Sequence, residues 1–377
     1  MSAPWDSAID ALAKALWQSV PMRAWLRTRR WCGDTIGPRT EVSVKDRAAL
    51  ASSTDEAVAF FLVVAREPSG AQPLHVPLAI ATAKPEPEAF ELQAGADRWY
   101  VVEAERSEVF ARFLVDGFRD RLVVRTLNGD ALHFRGEPLG AFRSSESSGE
   151  DSSNLVLRIG TDCGETVFKS YKILDVANRE PLILERLNAK GFRHVPSYRG
   201  ELAFGKGPDR LVLGVATEHV DAPDAFTWLT GEWRAEILGP EPSGVERTSL
   251  DFAEAMGGAT AALHEALLDR APGPFQVEPF TTEDSDVAQR AGVTNLSDSL
   301  RRLAALAKGP DARAADLAAK ARAMVFENRG RIESALAGID ACVGTAKGVT
   351  HADLHLGQIL RTAKGDLLFL DFEGEPE

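Results

Sequence analysis

Val349-Thr-His-Ala-Asp-Leu-His-Leu-Gly-Gln358 and, shortly after it, Leu370-Asp-Phe-Glu-Gly-Glu-Pro376 decide how the rest of the chain is read. Each stretch sets a carboxylate beside an apolar run. Between them two short β-like runs, Gln358–Thr362 and Leu367–Phe372, turn around Lys364-Gly-Asp366. A lone Asp before an apolar run is ordinarily a turn residue or a helix cap. Two such carboxylates flanking one hairpin point instead to chemistry. Phosphoryl transfer needs few groups: one carboxylate to accept the acceptor hydroxyl's proton, and a second with an amide or carboxylate to hold Mg²⁺ against nucleotide phosphates.

Asp353 takes the place of the catalytic base. Gln358 and Asp371 take the metal positions, in the order of the H-R-D-x-x-x-x-N and D-F-G signatures. His351 is expected to brace the catalytic loop, and His355 to line an acceptor pocket or to pack. His351-x-Asp353-x-His355 also reads as three ligands of a zinc hydrolase. The other histidines, His75, His133, His194, His219 and His264, form no paired motif, so that reading is the weaker one.

Working back from the hairpin, Ser249–Leu268, Leu296–Ala307 and Asp311–Gly338 are Ala-rich and helical in pattern, the last interrupted at Gly330. Before them comes a β-rich stretch. Leu155–Gly160 and Thr166–Ser170 read as a hairpin, Asp175–Ala189 as a helix stopped by Gly191, and Leu211–Val220 as a strand. Lys169 closes the second strand, where a kinase puts the lysine of its nucleotide phosphates; Lys172 is the alternative. Glu180 or Glu185 would orient that lysine, with Glu180 preferred. Glu218 is the first residue of an expected adenine-reading hinge. No Walker A or G-x-G-x-x-G pattern occurs, so a phosphate nest is sought at Ser153 and Asn154, against the alternative that they are plain linker.

Arg143 to Asn154 is nearly all Ser, Glu, Asp and Gly and reads as a linker or mobile loop. Ahead of it, Ser7–Trp17 and Ser107–Phe118 read as helices around β-like runs at Ala59–Ala65, Val76–Ala81, Trp99–Glu103, Arg121–Leu127 and Ala131–Phe134. The expected division is therefore 1–142 for an N-terminal α+β cap, 143–220 for a β-rich nucleotide lobe and 221–377 for a helical catalytic lobe.

With 377 residues, 44 % hydrophobic and 26 % charged, the chain is long enough for two or three packed domains. A net charge of −13 argues against a nucleic-acid footprint. The longest apolar run, Ala57 to Ala65, is too short for a membrane helix. Three separated cysteines exclude a disulfide framework, and with no signal-peptide layout the expected location is the cytoplasm.

The chain resembles the maltokinase-like family, which includes maltokinases, the kinase halves of trehalose synthase fusions and glucosamine kinases. Its catalytic loop, near H-G-D-x-H-x-G-Q, is similar to His351–Gln358, with Ala352 in place of Gly, and its D-F-E-G-E-P strand matches Asp371–Pro376. Thr260-Ala-Ala-Leu-His264, Glu278-Pro-Phe-Thr281, Phe192-Arg-His-Val-Pro196 and Arg29-Arg-Trp31 resemble other family segments in the right order. The resemblance implies an α+β, bilobal eukaryotic-protein-kinase-like (aminoglycoside-phosphotransferase-like) fold with an N-terminal cap. It also implies ATP and Mg²⁺ as cofactors, a place near the metal or the sugar for Glu373, and maltose converted to maltose 1-phosphate. The alternatives are glucosamine or another amino sugar, or a catalytically weak nucleotide- or sugar-binding module. An association or fusion with a trehalose synthase is implied as well. Family members continue through further helices after the metal strand, so the catalytic lobe is expected to be truncated at Glu377.

Overall fold

Trp5, Ala8, Ile9, Leu12, Ala13 and Leu16 recur at helical spacing, and all six are buried along α1 (Ala3–Gln18). Ser19 then caps α2 (Val20–Arg27): its Oγ accepts from Met22 N at 3.2 Å, and Pro21 fills the first turn. The computed structural model describes every residue except 1–2, 33–34, 38, 69, 95, 149–153, 208, 239–244 and 375–377.

The two helices pack on a six-stranded antiparallel sheet built from β1 (Glu41–Ser52), β2 (Glu56–Glu67), β3 (Gly70–His75), β4 (Leu78–Ala81), β5 (Phe90–Ala94) and β6 (Asp97–Glu103). Its order is β1-β2-β4-β6-β5, with β3 also on β2. A short 3₁₀ turn, Ala104–Arg106, leads to α3 (Glu108–Asp120), whose N-cap Ser107 accepts from Val109 N and Phe110 N. Phe110, Phe113, Leu114 and Phe118 form its buried stripe.

A second antiparallel sheet of seven strands follows. It comprises β7 (Val123–Arg125), β8 (Ala131–Gly136), β9 (Phe142–Ser148), β10 (Leu155–Thr161), β11 (Gly164–Ser170), β12 (Tyr198–Phe204) and β13 (Leu211–Glu218). The order is β7-β8-β12-β13-β11-β10-β9, and α4 (Glu180–Ala189) stands between β11 and β12 in sequence. Rings join the two sheets: Phe60 of β2 stacks on Phe204 of β12 at 5.8 Å, and Phe113 and Phe118 of α3 meet Phe134 of β8 edge-on.

The chain forms two compact units. The first, Met1–Thr260 with His351–Glu377, holds both sheets, α5 (Ala225–Leu238) and the start of α6 (Val245–Leu267). The second, Ala261–Thr350, carries β14 (Glu278–Pro279), α7 (Thr282–Leu306), α8 (Ala312–Glu327), α9 (Arg329–Ala337) and β15 (Ala346–Lys347). There Thr281 and Asp284 close a reciprocal capping box on α7, and Asp340 accepts from Ser285 Oγ at 2.7 Å. The first unit ends with the hairpin of β16 (Ile359–Arg361) and β17 (Leu367–Phe369). No helix among the described residues is long and apolar enough to cross a membrane.

Three expectations need correction. Residues 143–148, read as linker, form most of β9: this edge strand pairs with β10 through its backbone, and Glu146 forms a cross-strand ion pair with Arg158. An edge strand needs backbone partners on one side only, so a serine-rich sequence can supply it. The helix expected from Asp175 begins at Glu180, because Asp175 and Asn178 accept from Ala177 N and Glu180 N and hold turns instead. The long helix from Asp311 breaks at Asn328 rather than at Gly330. Across residue 142 the chain is joined by strand pairing, β8 on one side with β12 on the other.

Gly214 of β13 lies beneath the Phe168 ring; a Cβ there would stand 2.3 Å from Phe168 Cζ and 2.7 Å from Lys169 O. Gly214→Ala is therefore expected to destabilise the chain by about 1–3 kcal/mol through overpacking. The reading is a lowered urea midpoint, and an unchanged midpoint would contradict this packing.

Candidate functional site

Strand alternation at the end of β11 sends Lys169 and Tyr171 to one side, and both reach the carboxylate of Glu180. Lys169 Nζ donates to Glu180 Oε2 at 3.0 Å, and Tyr171 Oη donates to the same oxygen. Glu180 Oε1 accepts from Phe372 N at 3.3 Å, which ties the last hairpin to α4. Glu180 is 4 % exposed, and these donors satisfy a carboxylate that would otherwise be costly to bury. Of the two candidate glutamates, Glu185 is exposed, and its charge acts on Tyr198 and Arg210 instead.

Lys169 also pairs with Asp371 and, at 3.3 Å, with Glu373. Asp371 Oδ2 accepts from Gln358 Nε2 at 2.7 Å, and Leu370 N donates to Gln358 O at 2.8 Å. Asn154 Nδ2 donates to Glu373 Oε1 at 2.8 Å, while Asn154 Oδ1 accepts from Lys172 N at 3.4 Å. Its amide thus engages the final segment of the chain. Ser153 lies outside the described residues.

Lys169, Glu180, Gln358 and Asp371 border a cavity of about 330 Å³. Val156, Val167, Val215, Leu360 and Phe369 give it apolar walls; Lys169, Glu180, Gln358 and Asp371 stand at its polar end. Glu218 and His219 lie along it as well. Glu218 is fixed by Ser197, whose Oγ donates to its carboxylate at 2.6 Å. A cavity with apolar walls ending in one lysine and carboxylates suits a ligand with an apolar ring that carries phosphates.

His351 is buried, with Nε2 2.7 Å from Leu370 O and its ring 4.6 Å from that of Phe372. It joins the start of the 351–358 stretch to the residue before Asp371. Asp353 and His355 stand side by side, Oδ2 to Nε2 3.9 Å, and are not among the residues lining the cavity. His355 Nδ1 accepts from Gly357 N at 3.0 Å. Ala352 and Asp371 both have left-handed backbones, with φ of 69° and 66°. This conformation costs any residue with a Cβ, and a glycine at 352 would meet it without strain.

The three candidate zinc ligands do not converge. Among the described residues the group with metal-ligand spacing is Glu180, Asp371 and Glu373, whose ligand atoms lie within 4.8 Å of one another. With the Gln358 amide beside them, these are hard oxygen donors that fit Mg²⁺ better than zinc.

Charge is unevenly shared. Burial works against the Lys169 ammonium, yet Glu180, Glu373 and Asp371 together hold its pKa above the ordinary value. Burial would raise Asp371, but Lys169 and the Gln358 hydrogen bond bring it below the usual carboxylate range. Glu373 takes the opposite course: burial, opposed by Lys169 and reinforced by Asp371 and Glu180, pushes it up to about 7. Tyr171 was not singled out in the sequence. Its signal is the two-residue spacing from Lys169.

The chain matches the phosphotransferase enzyme family over residues 147–374 and the maltokinase N-terminal cap domain over residues 25–120. A glucosamine kinase of Streptacidiphilus jiangxiensis is 29 % identical over 187 residues, 49 % of this chain and 37 % of that protein. The matched stretch thus spans little more than a third of that relative. A solved glucosamine kinase in complex with glucosamine, ADP and inorganic phosphate superposes with a TM-score of 0.58 at 19 % identity, over 97 % of this chain and 72 % of that one. A second crystal form of a glucosamine kinase gives 0.59 at 20 %. At such identities the likeness is one of fold: a kinase-like phosphotransferase fold with an N-terminal cap, the class expected from the sequence.

The Glu373 carboxyl gives a pH test. A carboxyl that titrates higher in the folded chain than in the unfolded one favours folding when protonated. Its contribution is full below the ordinary glutamate range and is lost as pH rises through about 7. Melting temperatures measured from acid to neutral pH should therefore fall for the native chain relative to Glu373→Gln; parallel profiles would contradict the assignment.

Proposed function

The chain belongs to the phosphotransferase enzyme family, and from that premise we propose that it transfers the γ-phosphate of ATP, as its Mg²⁺ complex, to a sugar hydroxyl. The observation that carries this reading is the Lys169–Glu180 pair at 3.0 Å with Asp371 and Gln358 at the polar end of one cavity. Adenine would lie between the apolar walls, against the backbone at Glu218. Lys169 would hold the phosphates, kept in place by Glu180 and Tyr171. Asp371 and Gln358 would hold Mg²⁺, with Glu373 adjoining. Bound there, the cation neutralises charge on the phosphates.

Asp353 is the general base in this reading. Its partial exposure beside His355 leaves it free to take the proton of an incoming hydroxyl. His351 fixes the loop that carries it. The cap would then comprise residues 1–142, the nucleotide lobe 143–220 and the catalytic lobe 221–377. Dependence on ATP suits a cytoplasmic enzyme.

For the acceptor we propose maltose, supported by the match to the maltokinase cap domain. The glucosamine kinase relatives favour a second reading, an amino sugar. ADP release with maltose and glucosamine in parallel, against a no-sugar control, separates them. Maltose-dependent release supports the first reading, and release with glucosamine alone moves the acceptor to the second. No sugar-dependent release, with MgATP still bound, would leave a binding module.

Two variants test the roles. Asp353→Asn should lower turnover by about 10²- to 10⁴-fold, the usual worth of a general base, with MgATP affinity nearly unchanged; native turnover would remove Asp353 from this role. Asp371→Asn should abolish the Mg²⁺ dependence of ATP binding, measured by calorimetry with and without the cation.

A further inference from the structure

Lys169 and Tyr171 face Glu180, and the residues alternating with them face a second buried carboxylate. Ser170 Oγ donates to Glu105 Oε1 at 2.5 Å, and Lys172 Nζ pairs with the same oxygen. Ser170 is 0 % exposed, and Lys172 and Glu105 are each 1 % exposed. Glu105 comes from the 3₁₀ turn that leaves the six-stranded sheet. Four consecutive residues are thus gripped by two carboxylates, one on each side.

The backbone of this ribbon is tied to the same sheet. His75 N donates to Lys172 O at 2.8 Å, His75 Nδ1 stands 3.0 Å from Tyr171 O, and Leu174 N donates to Pro73 O at 2.9 Å. Lys172, the alternative phosphate lysine in the sequence, therefore faces away from the cavity.

A buried ion pair is a poor source of stability, since an apolar pair of similar volume does as well or better. Here the other oxygen, Glu105 Oε2, is buried without a hydrogen-bond partner, which makes the arrangement costlier still. What the pair does supply is geometry: two donors converging on one oxygen fix the pitch of residues 170–172. We propose that Glu105 is a positioning residue for Lys169, and that the cap region delivers the phosphate lysine to the cavity through the Glu105–Ser170–Lys172 cluster. The inference rests on the nucleotide reading only in naming what Lys169 would bind.

The test uses the full chain as Glu105→Gln and as the double variant Glu105→Leu with Lys172→Met. Three quantities are read: melting temperature, the rate at which an amine-acylating reagent labels Lys169 relative to exposed Lys364 in the same digest, and the KM for MgATP against kcat. Glu105→Gln is expected to lower the melting temperature and to speed Lys169 labelling about tenfold, a smaller change than the roughly hundredfold that a misplacement of 1 Å can cost in rate. KM for MgATP should rise by a similar factor, with kcat changed less.

The double variant, with its apolar pair, should regain melting temperature while Lys169 stays fast-labelling. Native labelling in either folded variant, or recovery of labelling and melting temperature together, would overturn the positioning role. Should Glu105→Gln fail to fold, the double variant decides alone. Labelling needs no nucleotide, so a chain that does not use ATP still tests the cluster, and the two failures read differently.

Discussion

The carboxylate of Glu180 is the point on which the site depends. It is the first residue of α4, yet its oxygens take donors from β11 and from the segment after β17. In a setting of low dielectric such a group is stable only when its donors are present. Strand, helix start and final hairpin therefore hold each other in place. The local sequence suits this task. Pro181 sits in the first turn, Asn178 accepts from Glu180 N, and an acidic side chain at a helix N-terminus complements the helix dipole.

Around that point the charges do not balance. One ammonium faces Glu180, Asp371 and Glu373, and the cluster meets the deficit in two ways. Asp371, in closest touch with Lys169 and Gln358, stays ionised, while Glu373 is driven toward its protonated form. Supplying a divalent cation would relieve the same deficit without a proton. The left-handed backbone at Ala352 and Asp371 belongs here too. Both sit where the chain must turn sharply to present a carboxylate, and strain of this kind gathers at working sites.

Much of the site was legible because phosphoryl chemistry uses few residue types at fixed offsets. Lys169, Glu180, Gln358 and Asp371 were named from such offsets and meet within hydrogen-bonding distance, and Glu373, implied by the family resemblance, joins them at Lys169. Asn154 was sought for phosphates, and its side chain engages Glu373 and the Lys172 backbone. The strands were harder to read. β2, β4 and β10 are apolar enough to announce themselves. β1 carries Lys45, Asp46 and Arg47 in its middle and is held by backbone pairing along β2. Its buried Asp46 is satisfied by Thr126 and Asn128, far away in sequence. Neither β9 nor β12 shows clean alternation. Glu105 carried no local signal, because its meaning lies in a lysine on another strand.

The seven-stranded sheet has a consequence for how this protein can be taken apart. Families are inherited as segments, and here one matched segment ends at 120 while the other begins at 147. Folding follows another partition. β7 and β8, from the stretch around that gap, close one end of the sheet through β12, and β9 closes the other. A fragment cut at the inherited seam would bare the edge of β12 and strand a buried lysine without its counter-ion. Genetic modules and cooperative units thus differ in this chain, and shuffling the first would break the second.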